Sequence, residues 1–154
     1  MNISVIGLGY IGLPTAVIIA LKGLKVIGVD VNQKTVDTIN QGKIHIIEPE
    51  LEVLVREVVQ KKQLRATTIL EKSDVFLIAV PTPFKGNYEP DLSYIKTVAK
   101  TISTVLEKGN LVILESTSPV GTTEKMIEWM KVERPDITFP EFGNNNFIAD
   151  ISVA

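Results

Sequence analysis

The sequence predicts an α/β fold: a doubly wound sheet of about six mostly parallel strands with helices on both faces. Three observations predict it. Short β-branched apolar runs alternate with helical patterns along the whole chain. The longest of those runs is apolar throughout, as a strand covered on both faces should be. A glycine-rich turn separates the first run from the first helical pattern.

The elements follow in order. "ISVIG" (3–7) reads as a buried strand, and "YIGLPTAVIIALKG" (10–23) as a helix stopped by Gly23. "KVIGVD" (25–30) is the second strand. "NQKTVDTINQG" (32–42) is a helix capped by Asn32 and stopped at Gly42. "IEPELEVLVREVVQKK" (47–62) is a third helix with Pro49 in its first turn. "LRAT" (64–67) is a short strand and "DVFLIAVP" (74–81) a long buried one. Pro90-Asp91 opens a helix, "LSYIKTVAKTISTVLEKG", which runs to Gly109. "LVILEST" (111–117) is a strand, and "TTEKMIEWMKV" (122–132) a helix that ends before Pro135. "FGNNNF" (142–147) suits a surface turn. The closing "IADISVA" sets Ile148, Ile151 and Val153 against Asp150 and Ser152, the period of a half-buried strand.

Length and composition bound the function classes. A chain of 154 residues predicts one domain, spanning 1–154, able to bury roughly two-thirds of its unfolded surface. Sixteen basic against eighteen acidic residues, with no basic stripe, argue against nucleic acid as a partner. The absence of cysteine removes disulfides, zinc-thiolate sites and cysteine nucleophiles from this chain. Met1 leads straight into "NISVIG" without a basic leader region. The longest apolar stretch is broken by Pro14, Lys22, Gly23 and Lys25, short of the roughly 20 residues a bilayer needs. The expectation is a soluble, cytoplasmic protein with no membrane and no metal.

Gly7, Gly9 and Gly12 stand in G-x-G-x-x-G spacing, directly after the first strand and at the mouth of the first helix. The first glycine permits a tight turn. The second lets the backbone approach a pyrophosphate, and the third lets helix and strand pack closely. The free amides and positive dipole end of the helix would then face the phosphates. Asp30 ends the second strand eighteen residues beyond Gly12, where a carboxylate accepts hydrogen bonds from a ribose diol. A 2′-phosphate would be repelled there, and "DVNQK" offers no arginine to receive one. The expected fold is therefore Rossmann-type and the expected cofactor NAD rather than NADP. The bland alternative is a tight turn beside a surface charge.

Two further loops fall at strand ends, where open α/β sheets bind ligands. In "AVPTPFKGNYEPD", Pro81 and Pro83 stiffen the backbone around Thr82. In "LESTSPVGTTE", Ser116, Thr117 and Ser118 cluster at the end of their strand. These hydroxyls point to where a nicotinamide ribose would lie, although Ser, Thr, Pro and Gly also serve simple turn chemistry. Thr122 and Thr123 are expected to cap the following helix. His45, the only histidine, reads as structural or exposed. Glu48 and Glu50 suit a helix start, and Trp129 reads as a packing residue.

Together "GLGYIGLPTA", "VDVN", "GKIHIIEPEL", "AVPTPF" and "ILESTSPVGTTEK" resemble the N-terminal domain of the nucleotide-sugar 6-dehydrogenases, the group that includes UDP-glucose dehydrogenase. The resemblance runs from about Ile3 to the end of the chain. It implies an enzyme that oxidises a sugar C6 alcohol to a carboxylate in two NAD-linked steps, with a cysteine holding the intermediate as a thioester. It implies that Gly7, Gly9, Tyr10, Ile11, Gly12 and Asp30 hold NAD, and that Thr82, Ser116 and Thr117 contact it. Thr117 would lie near the nicotinamide and help to position water. It further implies that the chain is the NAD domain alone, cut before the catalytic half. The UDP-sugar would then bind only with that missing domain, and no catalytic residue would lie in this chain. The full-length family is usually homodimeric. Pro140-Glu141 imitates a family loop but precedes the last strand, so Glu141 is set aside. Two other readings are a stand-alone NAD-binding module and the NAD domain of a β-hydroxyacid-type dehydrogenase. The "VPTPF" and "ESTSPVG" pair favours the nucleotide-sugar group over the latter.

Overall fold

The computed structural model describes residues 1–86, 88–141, 143 and 148–154. Its strands are β1 (Asn2–Ile6), β2 (Lys25–Val29), β3 (Leu64–Thr67), β4 (Val75–Ile78), β5 (Phe84–Lys85), β6 (Glu89–Pro90), β7 (Leu111–Leu114) and β8 (Ser152–Val153). Its helices are α1 (Gly12–Leu21), α2 (Gln33–Asn40), α3 (Pro49–Gln60), α4 (Ser93–Ser103) and α5 (Thr122–Glu133). Six strands form one sheet in the order β3-β2-β1-β4-β7-β8, every pairing parallel. The order reverses between β1 and β4, which is the switch point of a doubly wound sheet.

Alternation along the buried strands sends neighbouring side chains to opposite faces. Val5, Val26, Leu64 and Leu77 join Leu13 and Val17 of α1, Val36 of α2 and Val55 of α3 in one core. Ile6, Phe76, Ile78 and Val112 join Ile95 and Ile102 of α4 and Met126 and Met130 of α5 in the other. Phe76 is fully buried in this second layer. Phe76→Ala is expected to lower the unfolding free energy by about 3–5 kcal/mol, read by denaturant titration.

Several local expectations are met. The Asn32 side chain accepts the Lys34 amide at 3.0 Å and caps α2. Gly23 and Gly42 end their helices at φ 87° and 72°. Pro49 stands in the first turn of α3, His45 is exposed, and Trp129 packs on the α4–α5 core under Lys96.

Others are corrected. Neither Thr122 nor Thr123 caps α5: Gly121, at φ 85°, is the N-cap, and the Thr122 hydroxyl donates to the Pro119 carbonyl at 2.7 Å. The fourth helix ends at Ser103, not Gly109. Arg134 collects the Ser103 and Leu106 carbonyls at 2.9 and 2.8 Å, and Asn110 accepts the Glu107 amide. Those bonds replace the next helical turn. The loop after β4 folds into a small antiparallel pair, with Phe84 opposite Pro90. Ile148 is 93 % exposed, so the closing alternation buries Ile151 but not Ile148. Apart from Gly143, the turn expected over 142–147 lies outside the described residues.

The start of α4 is fixed electrostatically. Asp91 accepts the Ser93 amide at 2.9 Å and pairs with Lys85 at 2.8 Å. The Lys85 ammonium, then Ser93, hold the Asp91 carboxyl down at about 2. Because this carboxyl is depressed, its tie is complete above the ordinary carboxylate range and is lost as pH falls toward 2.

Candidate functional site

The glycine turn is built by three close approaches. Gly7 has φ 92°, and its amide donates to the Val29 carbonyl at 2.8 Å. A Cβ on Gly7 would lie 2.5 Å from the Ala79 carbonyl oxygen, and one on Gly12 would collide with the Gly7 carbonyl. Gly28 is bare because fully buried Leu8 lies across it; a Cβ there would meet the Leu8 methyls at 2.9 Å. Gly12→Ala is therefore expected to be severely destabilising, with loss of the folded amide spectrum or a melting point lowered by tens of degrees.

Gly9 differs. A Cβ built on it has nothing within 4 Å, and its φ is not left-handed. Among the described residues, no packing requires a glycine there. Beyond it, the amides of Gly9, Tyr10, Ile11 and Gly12 find no acceptor among the described residues, and Ile11, the N-cap of α1, offers no side-chain cap. Open space over unpaired amides at a helix N-terminus suits an anion.

Asp30 closes the arrangement. Its Oδ2 accepts the Leu8 amide at 3.0 Å and its Oδ1 accepts the Asn32 amide at 2.9 Å. The carboxylate is thereby tied to the glycine turn. Two carboxylate oxygens offer about four acceptor positions, so capacity remains for a pair of hydroxyls.

A cleft of about 860 Å³ lies over these groups, and Gly7, Gly9, Tyr10, Ile11 and Asp30 line it. Tyr10 and Ile11 are each 60 % exposed. Gly12 sits beneath the turn. The opposite wall comes from Val80 and Pro81 after β4 and from Ser93, Tyr94, Thr97 and Val98 of α4. Sequence reasoning missed the α4 wall. Its signal was the i, i+3, i+4 spacing of Tyr94, Thr97 and Val98, which marks one helix face.

Thr82, Ser116 and Thr117 do not line this cleft. They stitch two strand-end loops together. Thr82 Oγ1 donates to the Thr117 carbonyl at 2.6 Å, and Ser116 Oγ lies 2.8 Å from the Val80 carbonyl oxygen and 3.2 Å from that of Ile78. One loop thus continues the other beyond β4 and β7. Glu141 is exposed. Among the described residues no cluster of His, Asp and Glu could hold a metal, and no helix is long and apolar enough to cross a membrane.

Comparison with known proteins gives a consistent result. Residues 1–151 match the UDP-glucose/GDP-mannose dehydrogenase family, NAD binding domain. The chain is 60 % identical over 154 residues to a UDP-N-acetyl-D-mannosamine dehydrogenase of Campylobacter jejuni, covering 99 % of this chain and 37 % of that protein. It is 61 % identical over 139 residues to an NDP-N-acetyl-D-galactosaminuronic acid dehydrogenase of Ralstonia nicotianae, covering 90 % of this chain and 33 % of that protein. Among solved structures, a UDP-D-ManNAc dehydrogenase from Pyrococcus horikoshii superposes with a TM-score of 0.88 at 41 % identity, over 99 % of this chain and 35 % of that one. The chain spans about a third of the length of the curated relatives it matches.

Proposed function

Because the chain belongs to the UDP-glucose/GDP-mannose dehydrogenase family and matches its NAD-binding domain, we propose that it is the cofactor-holding part of an NAD-dependent UDP-sugar 6-dehydrogenase. The family indicates NAD as the cofactor. The observation that carries the residue-level reading is the Asp30 carboxylate, held at 3.0 Å from an amide of the glycine turn.

On this reading residues 1–154 form one NAD-binding domain. Gly9 leaves room for the pyrophosphate, and the amides of Gly9 to Gly12 receive its charge. Gly7 and Gly12 hold the turn in shape, while Tyr10 and Ile11 flank the bound chain of the dinucleotide. Asp30 accepts the hydroxyls of the adenosine ribose and repels a 2′-phosphate. Thr82, Ser116 and Thr117 fix the loops that border the nicotinamide half, and Thr117 has the supporting role there. When bound, NAD supplies the hydride acceptor for an alcohol oxidation.

The mannosamine sugar is the favoured substrate class because "VPTPFKG" and "ILESTSPVG" carry that wording, with the Campylobacter relative in support. The thioester chemistry falls to residues outside these 154, which include no cysteine. The chain alone is expected to bind NAD weakly, in the high micromolar range or weaker, and to oxidise no sugar. Calorimetric titration tests the reading: NAD should bind at least about tenfold more tightly than NADP. Equal affinity for the two would contradict the role given to Asp30.

A further inference from the structure

Glu115 is a carboxylate that neither the fold nor the proposed binding roles account for. It directly follows β7, and its amide donates to the Ile78 carbonyl at 2.9 Å, which anchors the residue at the end of β4. Its Oε1 accepts from the Thr15 hydroxyl, in the first turns of α1, at 2.9 Å. The side chain therefore reaches from the end of β7 to the helix that the glycine turn opens. It is exposed, and among the described residues no lysine or arginine pairs with it.

Its position can be compared with that of a bound dinucleotide. Asp30 on β2 fixes the adenosine end, and the glycine turn after β1 fixes the pyrophosphate. A dinucleotide crosses the sheet at the switch point, so its second half lies over the ends of β4 and β7. Glu115 directly follows β7 at that end of the sheet, two residues before Thr117 and outside the residues that line the cleft. The oxidised nicotinamide ring carries one positive charge and the reduced ring none, while the rest of the molecule carries the same charge in both forms. A fixed carboxylate without a counter-ion distinguishes two ligands that differ in this way.

We propose that the charge of Glu115 biases the cofactor site toward the oxidised, cationic nicotinamide over the reduced, neutral one. This rests on the cofactor reading given above. The carboxylate also lies at the positive end of α1, where it opposes the pyrophosphate. That opposition is common to both cofactor forms and cancels in their ratio.

The test is the ratio of the Kd for NADH to the Kd for oxidised NAD, measured on the 154-residue chain by calorimetry or ligand-observed NMR. Glu115→Gln keeps an acceptor for Thr15 and removes the charge. It should lower the ratio about three- to tenfold, mainly by weakening oxidised NAD. Thr15→Val removes the hydrogen bond but keeps the charge, and should change the ratio less than about twofold. Without any substitution, raising salt from about 0.05 to 0.5 M should lower the wild-type ratio toward that of Glu115→Gln. A ratio that moves with neither the substitution nor salt overturns the inference while both nucleotides still bind. A larger effect from Thr15→Val than from Glu115→Gln also overturns it, because Glu115 would then act as a structural clasp. If the unsubstituted chain binds neither nucleotide, the cofactor reading fails and this inference fails with it.

Discussion

A Gly9→Val chain should melt within a few degrees of the unsubstituted protein and lose NAD binding by about two orders of magnitude or more. The first half of that expectation follows from the empty shell around Gly9, where a built Cβ finds no neighbour within 4 Å. The second follows from the role proposed for that space. A branched side chain there would stand over the amides of Gly9 to Gly12 and occupy the volume a pyrophosphate needs. The same motif contains glycines of the opposite kind. Gly7 and Gly12 are required by the protein's own backbone, at the Ala79 and Gly7 carbonyls respectively. Substituting them should cost stability before it costs binding. Thermal melts paired with calorimetry separate the two classes. A Gly9→Val chain that still binds NAD normally would show that the turn is a structural bend only.

The second large effect concerns cofactor choice. Asp30→Ala should weaken NAD by about ten- to thirtyfold, in line with losing charge-assisted hydrogen bonds to a ribose. NADP should change far less, because the same substitution also removes the repulsion of its 2′-phosphate. The ratio of the two affinities should therefore collapse toward one. Stability should fall as well, by about 1–3 kcal/mol, because the Leu8 and Asn32 amides lose their acceptors. Asp30→Asn separates these effects, since its amide oxygen can still serve one of the two backbone donors. An NAD:NADP ratio that is unchanged in both variants would remove Asp30 from the site.

Much of this arrangement was legible in the sequence because it is local. The glycine spacing, the carboxylate after β2, the Asn32 cap and the Gly23 and Gly42 stops all act within a few residues of where they stand. What escaped depends on partners distant along the chain. The α4 wall of the cleft comes from a helix whose Tyr94 and Thr97 look like ordinary polar-face residues until the sheet places them opposite the glycine turn. The early end of α4 is marked by Arg134, the residue that ends α5, which donates to the Ser103 carbonyl and to that of Leu106 just beyond. Gly28 reads as a weak strand residue, yet it clears the space for Leu8 beneath the turn. The β5–β6 pair has two residues in each strand, too short for any period to register. The tie between Thr15 and Glu115 joins residues one hundred positions apart. The threonine caps proposed for α5 failed for a different reason. Gly121 already adopts the left-handed backbone that starts the helix, which leaves Thr122 to bond back into the loop.

The most direct test is a two-dimensional amide NMR titration of the 154-residue chain with NAD, which remains informative when binding is weak. The expected result is saturable shifts concentrated at Leu8 to Gly12 and at Asp30 and Val31, with smaller ones along the Tyr94–Val98 face of α4. Shifts clustered instead around the Lys72, Glu107 and Arg134 cavity near the C-terminal end of α4, or none at millimolar NAD, would contradict the account.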